Sequence, residues 1–240
     1  MHAQLGRTGI AGAVLLLFSI AAPAAANDDP LFQLQKQWWQ WAGSIPIDVN
    51  PLADTTGKYC DVGQQGSYWF LAGNFGGRTT RDCTVPKGVK LVVPVVVTFC
   101  YPEEGFDTDE SCIAYVNDAF SSYRPQDLTV KLDDAWQETR DICEIVIAPG
   151  DDFPAVPGHC LVRRRADRTL FSFVVGASGF YFSEPGVWRA NAARGVWSVI
   201  DTSKLTAGRH VLRIKAVGQP GAPIPSLTVT YNLRVRKAQN

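Results

Sequence analysis

Two histidines of this sequence lie where they could catalyse a reaction. His159 precedes Cys160, and a thiolate beside an imidazole is the nucleophile and base of a cysteine hydrolase. His210 alternates with apolar residues and could be a general base, because imidazole titrates near neutral pH. Each has a structural alternative: an oxidised Cys160 is not a nucleophile, and a histidine on the core face of a strand needs only a backbone partner. The two histidines are therefore candidates, and the catalytic residues stay unknown.

Acidic side chains are the second group that could carry chemistry, and they gather in two loops bounded by cysteines. These residues are Glu103, Glu104, Asp107, Asp109, Glu110, Asp151 and Asp152. Two carboxyl groups about 5–9.5 Å apart, helped by a histidine, could cleave a glycosidic bond. Such oxygens could also hold calcium, but the spacing and the glycine of an EF-hand loop are missing. We favour a solvated acidic surface and predict neither a metal nor a cofactor.

A third group could bind a ligand without changing it. Asn50, Asp54 and Gln64 precede the aromatic segment around Trp69. Aromatic rings stack on sugars while amide and carboxylate groups bind hydroxyls, so these four residues are the predicted site if the protein binds a glycan. Asn and Asp are also natural turn formers, and we favour turn formation as the explanation.

The charge balance excludes one class of partner. The 240 residues contain 23 Lys+Arg and 23 Asp+Glu, so the formal net charge is zero and no nucleic-acid partner is predicted. The run from Arg163 to Arg165 could bind an anionic glycan or a phosphate, but we favour protection of a strand edge. H-E-x-x-H, G-x-G-x-x-G, G-x-S-x-G and P-loop motifs are missing from the sequence, which argues against zinc-protease, nucleotide and serine-hydrolase chemistry.

Residues 1–26 have the pattern of a secretory signal peptide. Arg7 provides the positive charge, Ile10–Ile20 the apolar segment and Ala24–Ala26 a small-residue cleavage site. The apolar segment is shorter than a spanning helix, which needs about 20 residues, so we predict no membrane span. We expect residues 27–240 to form a single domain that is secreted or periplasmic.

All six cysteines lie after the predicted signal peptide. An even number of cysteines in an oxidising compartment predicts three disulfides, for which fifteen connectivities exist. We favour the sequential pairing, because each pair then brackets one loop rich in turn formers. The favoured pairs are Cys60 with Cys83, Cys100 with Cys112, and Cys143 with Cys160.

Hydrophobic spacing predicts two helices in this part of the chain. Asp29 can cap a helix that starts at Pro30, and apolar residues follow at a spacing of three and four up to Trp41. We therefore predict a helix over residues 30–42 whose tryptophans pack in the core. A second, shorter helical pattern covers about residues 111–123.

The rest of the chain has the patterns of strands and turns. Lys90–Phe99 is a nearly continuous run of valines, which is typical of a strand buried on both faces, and Pro94 requires a bulge or a sheet edge there. Residues 227–236 alternate strictly between apolar and polar. The sequence predicts a mainly β fold: an antiparallel β-sandwich, jelly-roll or immunoglobulin-like, with an N-terminal helix, a short second helix and disulfide staples.

Several sequence blocks resemble a family of secreted bacterial proteins for which no activity is known. The blocks are Trp38-Trp39-Gln40-Trp41, the W-F-L-A-G motif Trp69–Gly73, Cys83–Pro86, Gly195-Val196-Trp197, the L-x-x-G-x-H motif Leu205–His210 and Thr230–Leu233. These blocks are spread along most of the chain after residue 26. The resemblance implies a secreted β-rich fold and no particular reaction.

Three classes of function remain. We favour a binding or structural protein of the envelope or extracellular space, with a glycan or a cell-envelope component as its partner, because no catalytic residues are needed to explain the pattern. The alternative is an extracellular carbohydrate-active hydrolase or lyase that uses paired carboxylates and a histidine. The third class is an interaction protein whose edge strands pair with a partner.

Overall fold

The structure, a computed structural model, describes residues 29–101, 108–151, 159–179, 184–222 and 224–237. Within these ranges the chain is mainly β, with two α-helices, two short 3-10 helices and twelve strands. The predicted signal peptide, residues 1–26, lies outside the described residues. In the described part, no helix combines the length and the apolar character needed to cross a membrane.

The strands form two five-stranded sheets and a hairpin. The helices are α1 (Pro30–Ser44) and α2 (Asp109–Ser121), and the 3-10 helices cover Ile47–Val49 and Thr202–Lys204. The strands are β1 (Tyr68–Phe70), β2 (Gly77–Pro86), β3 (Lys90–Cys100), β4 (Tyr123–Leu132), β5 (Ala135–Trp136), β6 (Arg140–Ile147), β7 (Leu161–Arg164), β8 (Phe171–Val175), β9 (Gly186–Ala190), β10 (Ala192–Asp201), β11 (Gly208–Gly218) and β12 (Leu227–Arg236). Sheet A has the order β1-β3-β10-β6-β7, sheet B has the order β2-β12-β11-β4-β5, and β8 pairs with β9.

The predicted antiparallel arrangement is wrong, because both five-stranded sheets are mixed. Sheet A contains the parallel pairs β1–β3 and β6–β7, and sheet B contains the parallel pair β2–β12. The cause is the path of the chain: β1 and β3 belong to sheet A while β2 between them belongs to sheet B, so the chain returns to sheet A in its original direction. Residue alternation predicts the buried face of a strand, but it does not predict which strand pairs with it.

Helix α1 is fixed at both ends by side chains. Asp29 Oδ1 accepts a hydrogen bond from the N–H of Leu31 at 3.0 Å, which caps the first turn. At the other end the side-chain amide of Asn50 donates to the carbonyl oxygens of Ala42 and Ile45, both at 2.8 Å. The predicted helix is confirmed, and it extends two residues further than expected.

Helix α2 confirms the second predicted helix. It begins two residues earlier than expected, because Thr108 and Ser111 form a capping box around its first turn. Ile113 and Val116 of this helix pack with Ile145 of β6 in a small buried cluster. The helix therefore covers part of sheet A.

Sheet A is buried on both faces, which explains the run of valines in β3. Leu91 and Val93 share one core cluster with side chains of sheet B, whereas Val92 belongs to a second cluster with the tryptophans of α1. The tryptophans are buried, as predicted. The predicted irregularity at Pro94 is confirmed as a bulge, where the pairing with β10 shifts by one residue beside Trp197.

Sheet B has one apolar and one polar face, as the alternation in β12 predicted. The buried residues of β12 are Leu227, Val229, Tyr231, Leu233 and Val235. The residues between them, which are exposed or half-buried, are Thr228, Thr230, Asn232, Arg234 and Arg236. We call the polar side of this sheet the outer face of sheet B.

Three disulfides are confirmed, with the favoured pairing. The pairs are Cys60–Cys83, Cys100–Cys112 and Cys143–Cys160, which leaves no free cysteine. The first joins the loop before β1 to β2, the second joins β3 to α2, and the third joins β6 to the start of β7. Each bridge therefore ties an irregular segment or a helix to a strand.

Arg81 is a buried cation on the core side of β2, with 2% of its surface exposed. Its guanidinium group donates at 2.6–3.3 Å to the carbonyl oxygens of Leu52, Asp54, Ala72 and Gly73 and to the hydroxyl of Tyr231. Among the described residues no carboxylate forms an ion pair with Arg81, so main-chain dipoles balance its charge. These bonds attach the loop before β1 and the segment after β1 to sheet B.

Replacing Arg81 with Met should therefore destabilise the protein strongly. The variant keeps an apolar stem but leaves buried carbonyl oxygens without donors, and we expect a loss of at least about 3 kcal/mol in the free energy of unfolding. Arg78 lies three residues earlier on the same strand and is exposed. Arg78→Met should change the free energy by no more than about 0.5 kcal/mol. Denaturant unfolding of the oxidised proteins measures the free energy of unfolding of both variants. Equal losses of free energy in the two would contradict the role given to Arg81.

Candidate functional site

Asn50, the first residue of the predicted ligand site, is buried at the end of α1. Besides the two hydrogen bonds that its amide nitrogen donates to the helix, its Oδ1 accepts one from the N–H of Leu52 at 3.0 Å. Its polar atoms are thus all engaged with the main chain. These contacts support turn formation.

Asp54 organises the loop that follows. Its Oδ1 accepts hydrogen bonds from the N–H and the hydroxyl of Thr56, both at 2.7 Å, and its Oδ2 accepts one from the N–H of Tyr59 at 2.9 Å. Burial alone would raise the pKa of Asp54, but the hydrogen bonds outweigh burial and hold this pKa below its ordinary value. The carboxylate therefore stays ionised and is occupied by its own loop.

Gln64 is also engaged by the backbone. Its Nε2 donates to the carbonyl oxygens of Cys60 and Phe70 at 3.0 and 2.7 Å, and its Oε1 accepts from the N–H of Phe70 at 2.8 Å. Trp69, the fourth predicted residue, is half-buried against the core cluster to which both sheets contribute. The structure brings these residues into one loop region, but their ligand-binding role stays a prediction that the contacts do not support.

His159 lies beside a disulfide. Its Nε2 is 3.7 Å from Asp141 Oδ2, and the neighbouring Cys160 is bonded to Cys143. The ligand atoms of His159, Cys160 and Cys143 lie within 4.8 Å of one another, which is a spacing that metal ligands can have. Disulfide sulfurs carry no thiolate, so this group provides neither a nucleophile nor a structural zinc site.

His210 is 8% exposed and lies under the turn between β4 and β5. Its Nδ1 is 2.6 Å from Asp133 Oδ2, and its Nε2 is 2.9 Å from the carbonyl oxygen of Thr206. Both ring nitrogens face acceptors, so both donate, which is the pattern of an imidazolium. The hydrogen bond with Asp133 raises the pKa of His210 above its ordinary value. When the ring is protonated, both nitrogens donate and neither has a free lone pair, so these contacts favour a role in holding the turn.

Asp133 completes this contact. Its Oδ1 accepts a hydrogen bond from the N–H of Val211 at 2.8 Å while its Oδ2 faces His210. Burial by itself would raise the pKa of Asp133, but the bonds from His210 and Val211 outweigh it and place this pKa below its ordinary value. We call His210 and Asp133 the turn clamp.

The predicted carboxylates are only partly described. Glu103, Glu104, Asp107 and Asp152 lie outside the described residues. Asp109 and Asp151, one from each acidic loop, both lie 3.5 Å from the guanidinium group of Arg168. Because one arginine lies between them, the two carboxylates serve an ion-pair network within the described part of the chain.

Glu144 is a buried carboxylate that no sequence pattern singled out. It is fully buried on β6, 3.4 Å from Lys36 Nζ of α1 and paired with Arg163 of β7. These ion pairs hold edge strand β7 and helix α1 to β6. Arg163, part of the basic run, is therefore neutralised inside the protein, which agrees with a role at the strand edge.

The outer face of sheet B brings together residues that the sequence placed far apart. Trp136 of β5 lies opposite Lys131, and Lys131 lies opposite Arg213. Arg213 lies opposite Thr230, which in turn lies opposite Thr80. These five residues form one row from β5 to β2, with neighbouring strands about 4.8 Å apart.

Trp136 is 66% exposed, the highest value among the large apolar residues of the described part. A two-residue turn places it there: Asp133 and Asp134 have φ of 48° and 66°, the left-handed conformation of a type I′ hairpin. The Nζ of Lys131 lies 4.1 Å from the ring centroid. The ring surface that Lys131 does not cover is open to solvent.

Two depressions open on this face. The first has a volume of about 320 Å³, and its lining includes Thr129, Lys131, Trp136, Arg213, Lys215 and Thr228. The second has a volume of about 640 Å³, and its lining includes Asp82, Thr84, Arg209, Val211, Asn232 and Arg234. Both lie along β11 and β12, so the face can accept an extended ligand.

No protein-family model matches the chain, and no curated protein matches its sequence. A functional site is therefore inferred from the geometry of the described residues.

Trp136 was not among the predicted site residues, although the sequence contains a pattern that predicts its exposure. Leu132 and Ala135 flank Asp133-Asp134, and a two-residue turn there pairs residue 131 with residue 136. Lys131 occupies one of the outward, polar positions of β4. Its cross-strand partner Trp136 therefore lies on the same polar face. The sequence therefore predicts an aromatic side chain on the polar face of this strand pair.

The turn clamp predicts a pH dependence of stability. The pKa of His210 is raised on folding, so its contribution is complete below its unfolded pKa of about 6.5 and is lost as the pH rises through the folded pKa. We expect His210→Gln to lower the melting temperature relative to wild type most strongly near pH 5–6, with the difference shrinking towards pH 9. The lowered pKa of Asp133 keeps its carboxylate ionised over this range.

Thermal unfolding followed by circular dichroism at several pH values measures this effect. His159→Gln is the matched control, because His159 has 45% of its side chain exposed; it should change the melting temperature little at any pH. A His210→Gln difference that is constant with pH, or that grows as the pH rises, would show that the clamp is not an ion pair.

Proposed function

We propose that the protein is a glycan-binding module whose ligand lies across the outer face of sheet B. The observation that carries this proposal is the exposed ring of Trp136 at one end of a row of polar side chains. Sugar sites combine an aromatic surface, on which a sugar ring stacks, with polar groups that bind the hydroxyls. Lys131, Arg213 and Thr230 are such groups in the same row as Trp136.

The arrangement supports binding more than catalysis. Both nitrogens of His210 face acceptors, and Asp109, Asp151 and Glu144 contact cations. A general acid or base needs an exchangeable proton near a substrate, whereas a binding surface needs only exposed groups in fixed positions. The outer face of sheet B provides such exposed groups in fixed positions, as a binding surface needs.

A rigid site reduces the entropy lost on binding. Strands β11 and β12 are paired over nine positions, from Gly208 with Val235 to Ala216 with Leu227. The turn clamp fixes the β4–β5 turn that carries Trp136. We infer that a ligand meets this surface already in its binding geometry.

Other features support an exported protein. Three disulfides are typical of oxidising compartments, and residues 1–26 have the pattern of a signal peptide. We propose that the protein is secreted or periplasmic. We also propose that the two sheets, which share a core cluster, form a β-sandwich in which sheet B exposes its polar side. In this location a glycan or another envelope component is an accessible partner.

Truncating Trp136 should abolish most of the glycan binding. A glycan array on the oxidised protein identifies ligands, and isothermal titration then compares the wild type with Trp136→Ala. Because a tryptophan that stacks on its ligand is a typical hot spot, we expect the affinity to fall about tenfold or more. Trp136→Phe keeps a ring and should retain part of the affinity, while melting temperatures should stay close to that of the wild type.

Two controls make this experiment decisive. Val174→Ala truncates another exposed apolar residue, 61% exposed on the β8–β9 hairpin, and should leave affinity unchanged. Asp54→Asn tests the site predicted around Asn50 and Gln64. If Asp54→Asn weakens binding at unchanged stability while Trp136→Ala does not, the ligand binds at that loop and the proposal is wrong.

A further inference from the structure

The outer face of sheet B holds an excess of positive charge in a chain with no net charge. The outward cations on its strands are Arg78, Lys131, Arg209, Arg213, Lys215, Arg234 and Arg236. The outward carboxylates on the same strands are Asp82 and Asp127. With 23 Lys+Arg and 23 Asp+Glu in the whole chain, this difference is a local concentration of charge.

Several of these cations have no carboxylate partner in the described part of the chain. Among the described residues, Arg78, Arg209, Lys215 and Arg234 form no ion pair. Arg213 contacts Asp134 of the turn, but both side chains are exposed, and such a surface pair is weak enough for a ligand to replace. Cations elsewhere are more often neutralised: Arg163 pairs with Glu144, Arg168 with Asp109 and Asp151.

The carboxylates of this face are also occupied. Asp82 Oδ1 accepts a hydrogen bond from the side-chain amide of Asn232 at 2.9 Å. Asp127 Oδ2 accepts one from Arg124 Nε at 2.6 Å, at the end of β4. Neither carboxylate is paired with a cation of β11, so within the described residues only the exposed pair of Arg213 with Asp134 offsets the positive charge of this strand.

The cations lie along a line that a polymer could follow. On β11, Arg209, Arg213 and Lys215 span six residues, or about 20 Å at a rise of about 3.4 Å per residue. Arg234 lies opposite Arg209 and Lys131 lies opposite Arg213, one strand away on either side. A ligand with negative charges repeated along an extended chain would contact several of them at once.

We infer that the ligand of this face is a polyanionic glycan, such as a polymer of uronic acids, with carboxylates bound by the cations of β11 and a sugar ring stacked on Trp136. This inference rests on the proposed function, because it specifies the charge of the ligand at the same site. Single-stranded nucleic acid is also polyanionic, but its non-specific sites use several aromatic residues, and Trp136 is the only exposed aromatic side chain on this face in the described part.

Binding to a matched pair of polymers tests the charge of the ligand. Polygalacturonate and the same polymer after reduction of its carboxyl groups share a linkage but differ in charge. We expect the intact protein to bind polygalacturonate at least about tenfold more tightly at low salt, with the preference shrinking at about 0.5 M NaCl because salt screens exposed charges. Equal binding of the two polymers would overturn the inference.

Variants locate the charge requirement. Replacing Arg213 and Lys215 by Gln together should weaken binding of polygalacturonate at least about fivefold more than binding of the reduced polymer, because Gln keeps hydrogen bonds to hydroxyls but loses the positive charge. The matched control replaces Arg165 and Arg189 by Gln, because both are exposed and lie outside sheet B. This control removes the same net charge and should change neither affinity.

The outcomes separate the inference from the function on which it rests. If both polymers bind equally and Trp136→Ala weakens both, glycan binding stands and the polyanion inference is wrong. If neither polymer nor any glycan of the array binds, the proposed function fails as well. Tighter binding of a single-stranded oligonucleotide than of polygalacturonate, lost in the Arg213/Lys215 variant, would overturn the glycan assignment and identify a nucleic-acid surface.

Discussion

The buried guanidinium group of Arg81 determines how the irregular first part of the chain is attached to the sheets. A cation can be buried only when dipoles or charges compensate it, and here main-chain carbonyl oxygens and the Tyr231 hydroxyl do so. These acceptors belong to the segments on both sides of β1 and to β12. One side chain therefore links a loop and the segment next to edge strand β1 of sheet A to strands β2 and β12 of sheet B. Cys83, two residues further on β2, adds a covalent link to the same loop through Cys60.

This constraint also explains the polar residues of that loop. Once Arg81 Nε takes the carbonyl oxygen of Asp54, the loop must turn tightly, and the Asp54 carboxylate satisfies the N–H groups of the turn. The side-chain amides of Asn50 and Gln64 bind the segments on either side, donating to carbonyl oxygens and accepting from N–H groups. Polar groups that seemed available for a ligand are needed to fold a loop with little regular structure. The exposed groups lie instead on the outer face of sheet B, where the strands satisfy their own backbone.

The sequence allowed the local features to be predicted, because they depend on neighbouring residues. Capping by Asp29, the helix that follows, the buried valines of β3 and the alternation of β12 all depend on short spacings. The pairing of cysteines also followed, since each pair closes a short loop. The prediction that all strands pair antiparallel was wrong, because strand direction depends on which sheet the chain enters between β1 and β3. The predicted ligand site was chosen by proximity in sequence, and its polar side chains bind their own loop. Trp136, Arg213 and Thr230 are distant in the chain and meet only through strand order.

The central claim is that the outer face of sheet B, and not the loop before β1, binds an acidic glycan. The most direct measurement is a titration of ¹⁵N-labelled protein with trigalacturonate, followed by the chemical shifts of backbone amides and tryptophan indoles. The account predicts the largest changes at the indole N–H of Trp136 and at amides of β4 and β11, where Lys131 and Arg213 lie. Changes that are largest between Asn50 and Gln64, or no changes on sheet B at saturating ligand, would contradict it.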